Sequence, residues 1–381
     1  MTSRVLLCGR ADLLTKPGGD TRQILGLQRH LGDSARLSLD LRPQMDDVDL
    51  VHVFNLSRPI EPALQADQAR RRGKPVVLTP IYQDLREYNR HGRHGAGRLL
   101  FRLLGGHDGR LETVRALVNL WRSSGHGLRG LPLVGRAVLT HGGRAALGLQ
   151  ARVLENCDLL VFNSSLEEET VRSCITGATI RAASARVPVG IDTEELSSAD
   201  PTPFLRRFGL ARGFVLSVGR IEDVKNQLAL IQSLRGDSVP LVLVGQVNPL
   251  HRAYARAVAR AAGARPSTLV IHRLGRTLLL SAMAAAAVHV LPSWFETAGL
   301  VSLEAAAAGC AVVSTDRGYA RAFLGDEAHY CSPSEPLSIR RAVLDALERG
   351  PSHALRTHVL AQLTEQRAAA MMHRLYRQVL A

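Results

Sequence analysis

An α/β protein of two parallel-sheet domains is what this chain predicts, on three observations. It has 381 residues, more than one compact core usually supports. Its apolar runs are short and alternate with helical stretches, the pattern that builds a parallel sheet. Residues 287–314 spell out one such unit in full. Ala287-Val-His-Val-Leu291 reads as a buried strand that stops at Pro292. A polar loop follows with Glu296 and Thr297, and a helix rich in Leu and Ala runs from about Gly299 to Gly309. Ala311-Val-Val-Ser314 reads as the next strand. The first amides of such a helix are free to meet a phosphate. Glu296 and Glu304 flank them, which is unfavourable for a bare anion. It suits a phosphate that carries sugar hydroxyls, because carboxylates accept hydrogen bonds from hydroxyls.

Composition narrows the class. A hydrophobic share of 46% is ordinary for a globular chain and does not indicate disorder. Cys8, Cys157, Cys174, Cys310 and Cys331 are scattered, odd in number and without a C-x-x-C pair. That argues against a disulfide framework or zinc site and fits a reducing cytoplasm. The first residues turn polar too soon for a signal peptide, and no uncharged apolar run reaches the length of a membrane span. The net charge of +14 brings nucleic acid and anionic membranes into consideration. Of the basic residues only Lys16, Lys74 and Lys225 are lysines; Lys74 precedes a strand and reads as surface.

In chain order, Arg4–Cys8 is the first strand, and Thr15-Lys-Pro-Gly-Gly-Asp-Thr21 leads into a helix from Arg22 to Leu31. Gly18 and Gly19 let backbone approach a ligand there and expose amides to it. Asp47-Val-Asp49 enters the strand Leu50–Phe54; lying away from any phosphate loop, it reads as structural and not as a metal motif. Pro75–Thr79 is another strand, followed by Pro80-Ile-Tyr-Gln-Asp84. Residues 91–150 hold nine arginines and five histidines against Asp108 and Glu112, with apolar residues interleaved. Two readings stay open for them: a surface facing an anionic membrane or an acceptor, or a helical insertion with a solvated arginine face. Nucleic acid is disfavoured, since aromatics are sparse and no reading motif is present. Cys157–Ser165 is a strand with a serine-bearing end that includes Ser164, and Ser197–Pro203 reads as a linker. The second half opens with a strand from Phe214 to Gly219, followed by Arg220, Lys225 and a helix near Asn226. Strands at Pro240–Gly245 and Leu269–His272 come next, with a helix between them.

The string from Pro292-Ser293 through Glu296 and Glu304 to Gly309 resembles the E-x7-E signature of retaining GT-B glycosyltransferases, nearest glycosyltransferase family 4 (glycosyl transferases group 1). The glycine loop, Val187-Pro-Val-Gly-Ile-Asp192 and Gly219-Arg220…Lys225-Asn226 match that family too. The resemblance implies a GT-B fold, two Rossmann-like parallel-sheet domains facing across a cleft. Residues 1–200 would be the acceptor-side domain, with a basic helical segment at about 85–150. Residues 201–357 would bind the nucleotide sugar, and 358–381 would return as a helix to the first domain. The implied activity is retaining, metal-independent transfer of a hexosyl group from a UDP- or GDP-sugar to an acceptor hydroxyl. No cofactor is implied beyond the donor substrate. Arg220 and Lys225 would stabilise the departing diphosphate, because cations fixed where negative charge develops lower the barrier. Glu296 would hold sugar hydroxyls and Glu304 the ribose. Gly18, Gly19, Asp20, Thr297, Ala298, Gly299, Leu300, Val301 and Leu274 would complete the donor site. Lys16, Tyr82, Asp84 and Ser164 are the candidate sugar or acceptor contacts.

Two departures stand out. The family's histidine after the strand Pro75–Thr79 is absent, with Tyr82 or Asp84 in its place, and Gly318 is kept without a matching Glu. The rival readings are a GT-B nucleotide-sugar epimerase and a degenerate GT-B protein acting as a membrane scaffold. An NAD-binding enzyme ranks below both, since Gly18-Gly19 lacks G-x-G-x-x-G spacing. Bacterial polysaccharide or glycolipid synthesis is the expected setting, with a saccharide or lipid-linked saccharide as acceptor. The expected location is the cytoplasm, peripheral to the inner face of the cell membrane.

Overall fold

The computed structural model describes residues 4–123, 131–196 and 198–381. Met1–Ser3 of the leader reading, residues 124–130 of the basic segment and Ser197 of the expected linker lie outside them. The chain forms two compact units: residues 1–83, 100–190 and 365–381 in unit 1, and residues 84–99 and 191–364 in unit 2. Segment 84–99 groups with unit 2, and the tail joins unit 1 from Glu365, where 358 was the expected start.

Unit 1 is built on β1 (Val5–Cys8), β2 (Ala35–Ser38), β3 (Leu50–Phe54), β4 (Val76–Thr79), β5 (Leu159–Phe162) and β6 (Ala183–Arg186). All pair in parallel, in the order β2-β1-β3-β4-β5-β6. β1, β3, β4 and β5 are buried along their whole length, as near-continuous apolar runs must be when helices cover both faces of a parallel sheet. Alternation splits the side chains between two layers. Leu6, Cys8, Val51 and Val53 pack in one core with residues of the helices Ile60–Arg71 and Ala145–Glu155. Val5, Leu7 and Leu50 pack in the other with Ile24, Ala369 and Met372, from the helices Gly19–Leu31 and Glu365–Leu380. His52, inside β3, fixes that last helix. Its Nδ1 lies 2.6 Å from the Tyr376 hydroxyl and its Nε2 lies 2.8 Å from Thr79 Oγ1. Burial pushes its pKa down to about 3, so it serves as a neutral polar pin within the core.

Unit 2 contains β7 (Val215–Val218), β8 (Leu241–Val244), β9 (Thr268–Ile271), β10 (Val288–Leu291), β11 (Ala311–Thr315) and β12 (His329–Cys331). The order is β12-β11-β10-β7-β8-β9, again all parallel. Chain direction across the sheet therefore reverses between β7 and β10. In doubly wound sheets a ligand crevice opens at the carboxyl ends of the two strands flanking such a reversal. The loops leaving β7 and β10 carry Arg220–Lys225 and Pro292–Gly299. Topology thus brings together two stretches separated by some 70 residues of chain, as the separation of 71 between Lys225 and Glu296 records.

Candidate active site

In unit 2 the loop after β7 closes with one 3-10 turn, Asp223–Lys225, and Asn226 sits in the left-handed region at φ 58°. Asn226 Nδ2 donates to the carbonyls of Pro292 and Pro333 at 3.1 and 2.8 Å, which ties this turn to the loops after β10 and β12. Lys225 Nζ donates to Glu296 Oε1 at 2.6 Å, and Ser293 Oγ donates to the same oxygen at 2.5 Å. The Glu296 backbone is clamped from behind. Its N–H donates to Arg317 O at 3.3 Å, and its carbonyl accepts from Tyr319 N at 2.8 Å. Gly318 between them has φ 90°, and a Cβ there would fall 2.1 Å from the Glu296 carbonyl oxygen. Only glycine fits that approach, which gives a structural role to a residue noted in the sequence without its acidic partner.

Arg220 is paired with Glu222 at 3.0 Å and has a half-exposed side chain. The helix Leu300–Ala307 starts from Gly299, with Thr297, Leu300 and Val301 partly exposed around its first turn and Ala298 buried. First-turn amides have no carbonyl one turn back to accept them, so they face outward as donors. Glu304 is buried inside this helix and accepts from Arg276 Nη1 at 2.8 Å. Arg276 begins the helix after the Leu274–Gly275 loop, so two stretches expected in the donor site are joined by an ion pair. The sheet below holds His289 on β10, fully buried, with its pKa pushed down to about 3 by burial and by the charge of Lys225. Arg220, Lys225, Glu296, Thr297–Val301, Glu304 and Leu274 thus share one end of the unit 2 sheet.

The glycine loop of unit 1 is organised by a residue sequence reasoning missed, Arg10. Its Nε donates to Asp20 at 2.6 Å, its Nη1 to Asp12 at 2.6 Å, and its Nη2 to the Lys16 carbonyl at 2.7 Å. Asn55 adds a bond to Asp20 at 3.2 Å, and Arg58 one to Asp12 at 2.6 Å. Burial alone would raise the Asp20 pKa; the bond and charge of Arg10 instead hold it below the usual carboxylate range. The Asp20 carboxylate therefore braces the loop from inside. The exposed Gly19 and part-exposed Gly18 remain at its surface, and Lys16 Nζ reaches Asp12 at 3.1 Å. Asp84 pairs with Arg86.

Tyr82 and Ser164 meet through a further missed residue, Glu167. Its Oε1 accepts from Tyr82 N at 2.9 Å and its Oε2 from Asn163 N at 2.7 Å, while Ser164 Oγ accepts from Glu167 N at 3.1 Å as a helix cap. The spacing Ser164-x-x-Glu167 is a capping pattern, a signal that would have found it. Burial pushes the Glu167 pKa up to about 7 against the pull of the two amides. Since the folded group holds its proton more tightly than the unfolded one, stability falls as pH rises from about 4.5 through 7. Glu167→Gln should flatten that slope. Urea midpoints of both proteins at pH 5 and pH 8 check this, and equal slopes would refute it.

Among the described residues, no group of three or more His, Cys, Asp or Glu side chains is placed to hold a metal ion, and no helix is long and apolar enough to cross a membrane. Residues 207–358 match the family model described as Glycosyl transferases group 1. No curated protein matches the chain by sequence. Among solved structures, it is similar over 99% of its length to 99% of a sucrose-phosphate synthase from Thermosynechococcus elongatus, with 16% identity and a TM-score of 0.72. It is similar to HepE of Anabaena, solved in complex with UDP: 15% identity, TM-score 0.68, covering 98% of this chain and 100% of that one. An α,α-trehalose-phosphate synthase (UDP-forming) from Burkholderia xenovorans, in complex with glucose-6-phosphate, gives 15% identity and a TM-score of 0.61 over 97% and 80% of the two chains. The chain has a GT-B fold, and its residues 207–358 are similar to the glycosyl transferases group 1 family.

Proposed function

We propose that this protein is a retaining glycosyltransferase that moves a sugar from a UDP- or GDP-sugar to an acceptor hydroxyl. The observation that carries the reading is the meeting of Lys225 and Glu296 at the reversal between β7 and β10, inside the matched domain. In this reading Lys225 and Arg220 turn to the diphosphate as its charge grows, helped by the amides of Leu300 and Val301. Glu296, held by Ser293 and Gly318, accepts hydrogen bonds from donor-sugar hydroxyls. Glu304 accepts from the ribose once Arg276 yields. The acceptor hydroxyl attacks the anomeric carbon on the face the nucleotide leaves and passes its proton to the leaving phosphate, so configuration is retained and no side-chain base is needed. Charge on the diphosphate is met by these groups without a divalent cation or another cofactor.

Incubation with a panel of UDP- and GDP-sugars, followed for nucleotide release, tests the reading. Slow hydrolysis of one donor without acceptor supports it. Interconversion of donor sugars would establish an epimerase instead, and binding without release a scaffold.

For the acceptor, the reading places the enzyme at the inner, cytoplasmic face of a cell membrane in polysaccharide or glycolipid synthesis. The helices Asp108–Ser123 and Leu131–His141 of unit 1 support that. Each buries an alanine in the core, Ala116 or Ala137, while Trp121 is 77% and Leu139 90% exposed, with Arg136 exposed beside Leu139's turn. Exposed apolar anchors beside arginines fit an anionic bilayer surface. Sedimentation with phosphatidylglycerol vesicles should pellet the wild type, and Trp121→Asp/Leu139→Asp should bind at least about tenfold more weakly, since two exposed apolar side chains that would enter the bilayer surface are lost. Equal binding to neutral and anionic vesicles by both proteins would contradict this.

A further inference from the structure

Residues 84–99 stand well over 100 positions before the turn Asp223–Lys225, yet they pack on it. Their centre is a single π-helical turn, Tyr88–Gly92. The Tyr88 hydroxyl donates to Asp223 Oδ1, and the His94 amide donates to Asp223 Oδ2 at 3.0 Å. His251 Nδ1 completes the set 2.9 Å from Oδ1. Asp223 opens the turn that ends on Lys225. Gly92 packs against the indole of Trp294, where a Cβ would come within 2.6 Å of the ring. The Trp294 amide in turn donates to Val224 O at 2.8 Å. Glu87 accepts from Arg317 Nε at 2.6 Å, and the Arg317 carbonyl is the acceptor for the Glu296 amide. The segment therefore touches Asp223, Trp294 and Arg317. The first two stand two residues before Lys225 and Glu296, and the third is bonded to the Glu296 backbone.

Simple stabilisation does not call for this arrangement. Tyr88 and Asp223 are 4% and 3% exposed, and apolar residues of similar volume would hold a buried junction at least as well. A buried polar cluster in which both Asp223 oxygens are bonded instead fixes one geometry. We propose that segment 84–99 is a positioning strap: Tyr88 and Gly92 hold the Asp223–Lys225 turn and the Trp294–Glu296 stretch in the register that a nucleoside diphosphate requires of Lys225. The strap rests on the proposed transferase reading, since it acts on that reading's phosphate-binding lysine. Tyr88 and Gly92 touch no substrate in it; they act through Lys225.

The test is calorimetric titration of UDP and of GDP into the full-length protein. Tyr88→Phe and Gly92→Ala should each raise the Kd of the bound nucleotide about tenfold, roughly the weakening of one charge-assisted hydrogen bond. In a Lys225→Ala background each should add less than about twofold, because the contact through which they act is gone. Gly92→Ala should also shift the emission of Trp294, read in a Trp121→Phe background that leaves it the only tryptophan. Tyr88→Phe removes a single oxygen, so it carries the test even if Gly92→Ala does not fold. Equal losses in both backgrounds would reduce the strap to a general structural role and overturn the proposal, as would wild-type affinity in both variants. A wild type that binds neither UDP nor GDP would overturn the transferase reading itself, and the strap with it.

Discussion

Lys225→Ala is expected to lower kcat/KM for sugar transfer by about 100-fold, or ~2.7 kcal/mol, the loss typical of one preorganised donor aimed at developing charge. The effect should fall mainly on kcat, because the ammonium matters most when the diphosphate is leaving. Its removal also leaves Glu296, whose side chain is only 7% exposed, with Ser293 as its remaining close partner. Glu296→Ala should cost at least about tenfold through lost sugar contacts, roughly one charged hydrogen bond. Lys225→Arg should not restore the wild-type rate. Its planar fork cannot reproduce the single 2.6 Å contact of the ammonium with Glu296 Oε1. Nucleotide release from the preferred donor checks all three variants, and unchanged turnover in Lys225→Ala and Glu296→Ala would sink the assignment.

Arg10→Ala should destabilise unit 1 by about 3–5 kcal/mol, since it removes one partner from a largely buried ionic network. Asp12 would keep Arg58 and Lys16, and Asp20 would keep Asn55 and the Thr21 amide. Neither set replaces a guanidinium that bonds both carboxylates and the loop backbone together. The pH dependence has a definite sign. Asp20 has a folded pKa below its ordinary value, so its contribution is present above about pH 4 and is lost as pH falls below it. Urea unfolding at pH 7 and pH 3 measures both effects: the gap between wild type and Arg10→Ala should narrow at the lower pH. A gap that stays constant would show that Arg10 contributes through packing alone.

Much of this architecture was legible because it is local. β7 and β10 announce themselves as short apolar runs that stop at glycine or proline, β11 as one that follows Gly309, and the loops after β7 and β10 carry residue types that match a known signature. Roles for Arg220, Lys225, Glu296 and Glu304 follow from that likeness as expectations, before any pairing is known. What could not be read is which charges meet. Lys225 reaches Glu296 across 71 residues only because strand order reverses between β7 and β10, and no periodicity encodes strand order. Arg276 on Glu304 is hidden for the same reason, and so is Asp20, whose carboxylate turns inward to an arginine that follows the first strand. The grouping of residues 84–99 with unit 2 has no local signal at all. Its determinants are single atoms, the Tyr88 hydroxyl and the missing Cβ of Gly92, acting on partners over 100 residues away.

The central claim is that a nucleoside diphosphate binds unit 2 at the carboxyl ends of β7 and β10. Backbone hydrogen exchange of the full-length protein with and without UDP and GDP addresses it directly. One of the two nucleotides should slow exchange at Gly219–Asn226, at Thr297–Leu303 and around Leu274, and Lys225→Ala should weaken that protection. Absence of protection at all three stretches with both nucleotides would contradict the account.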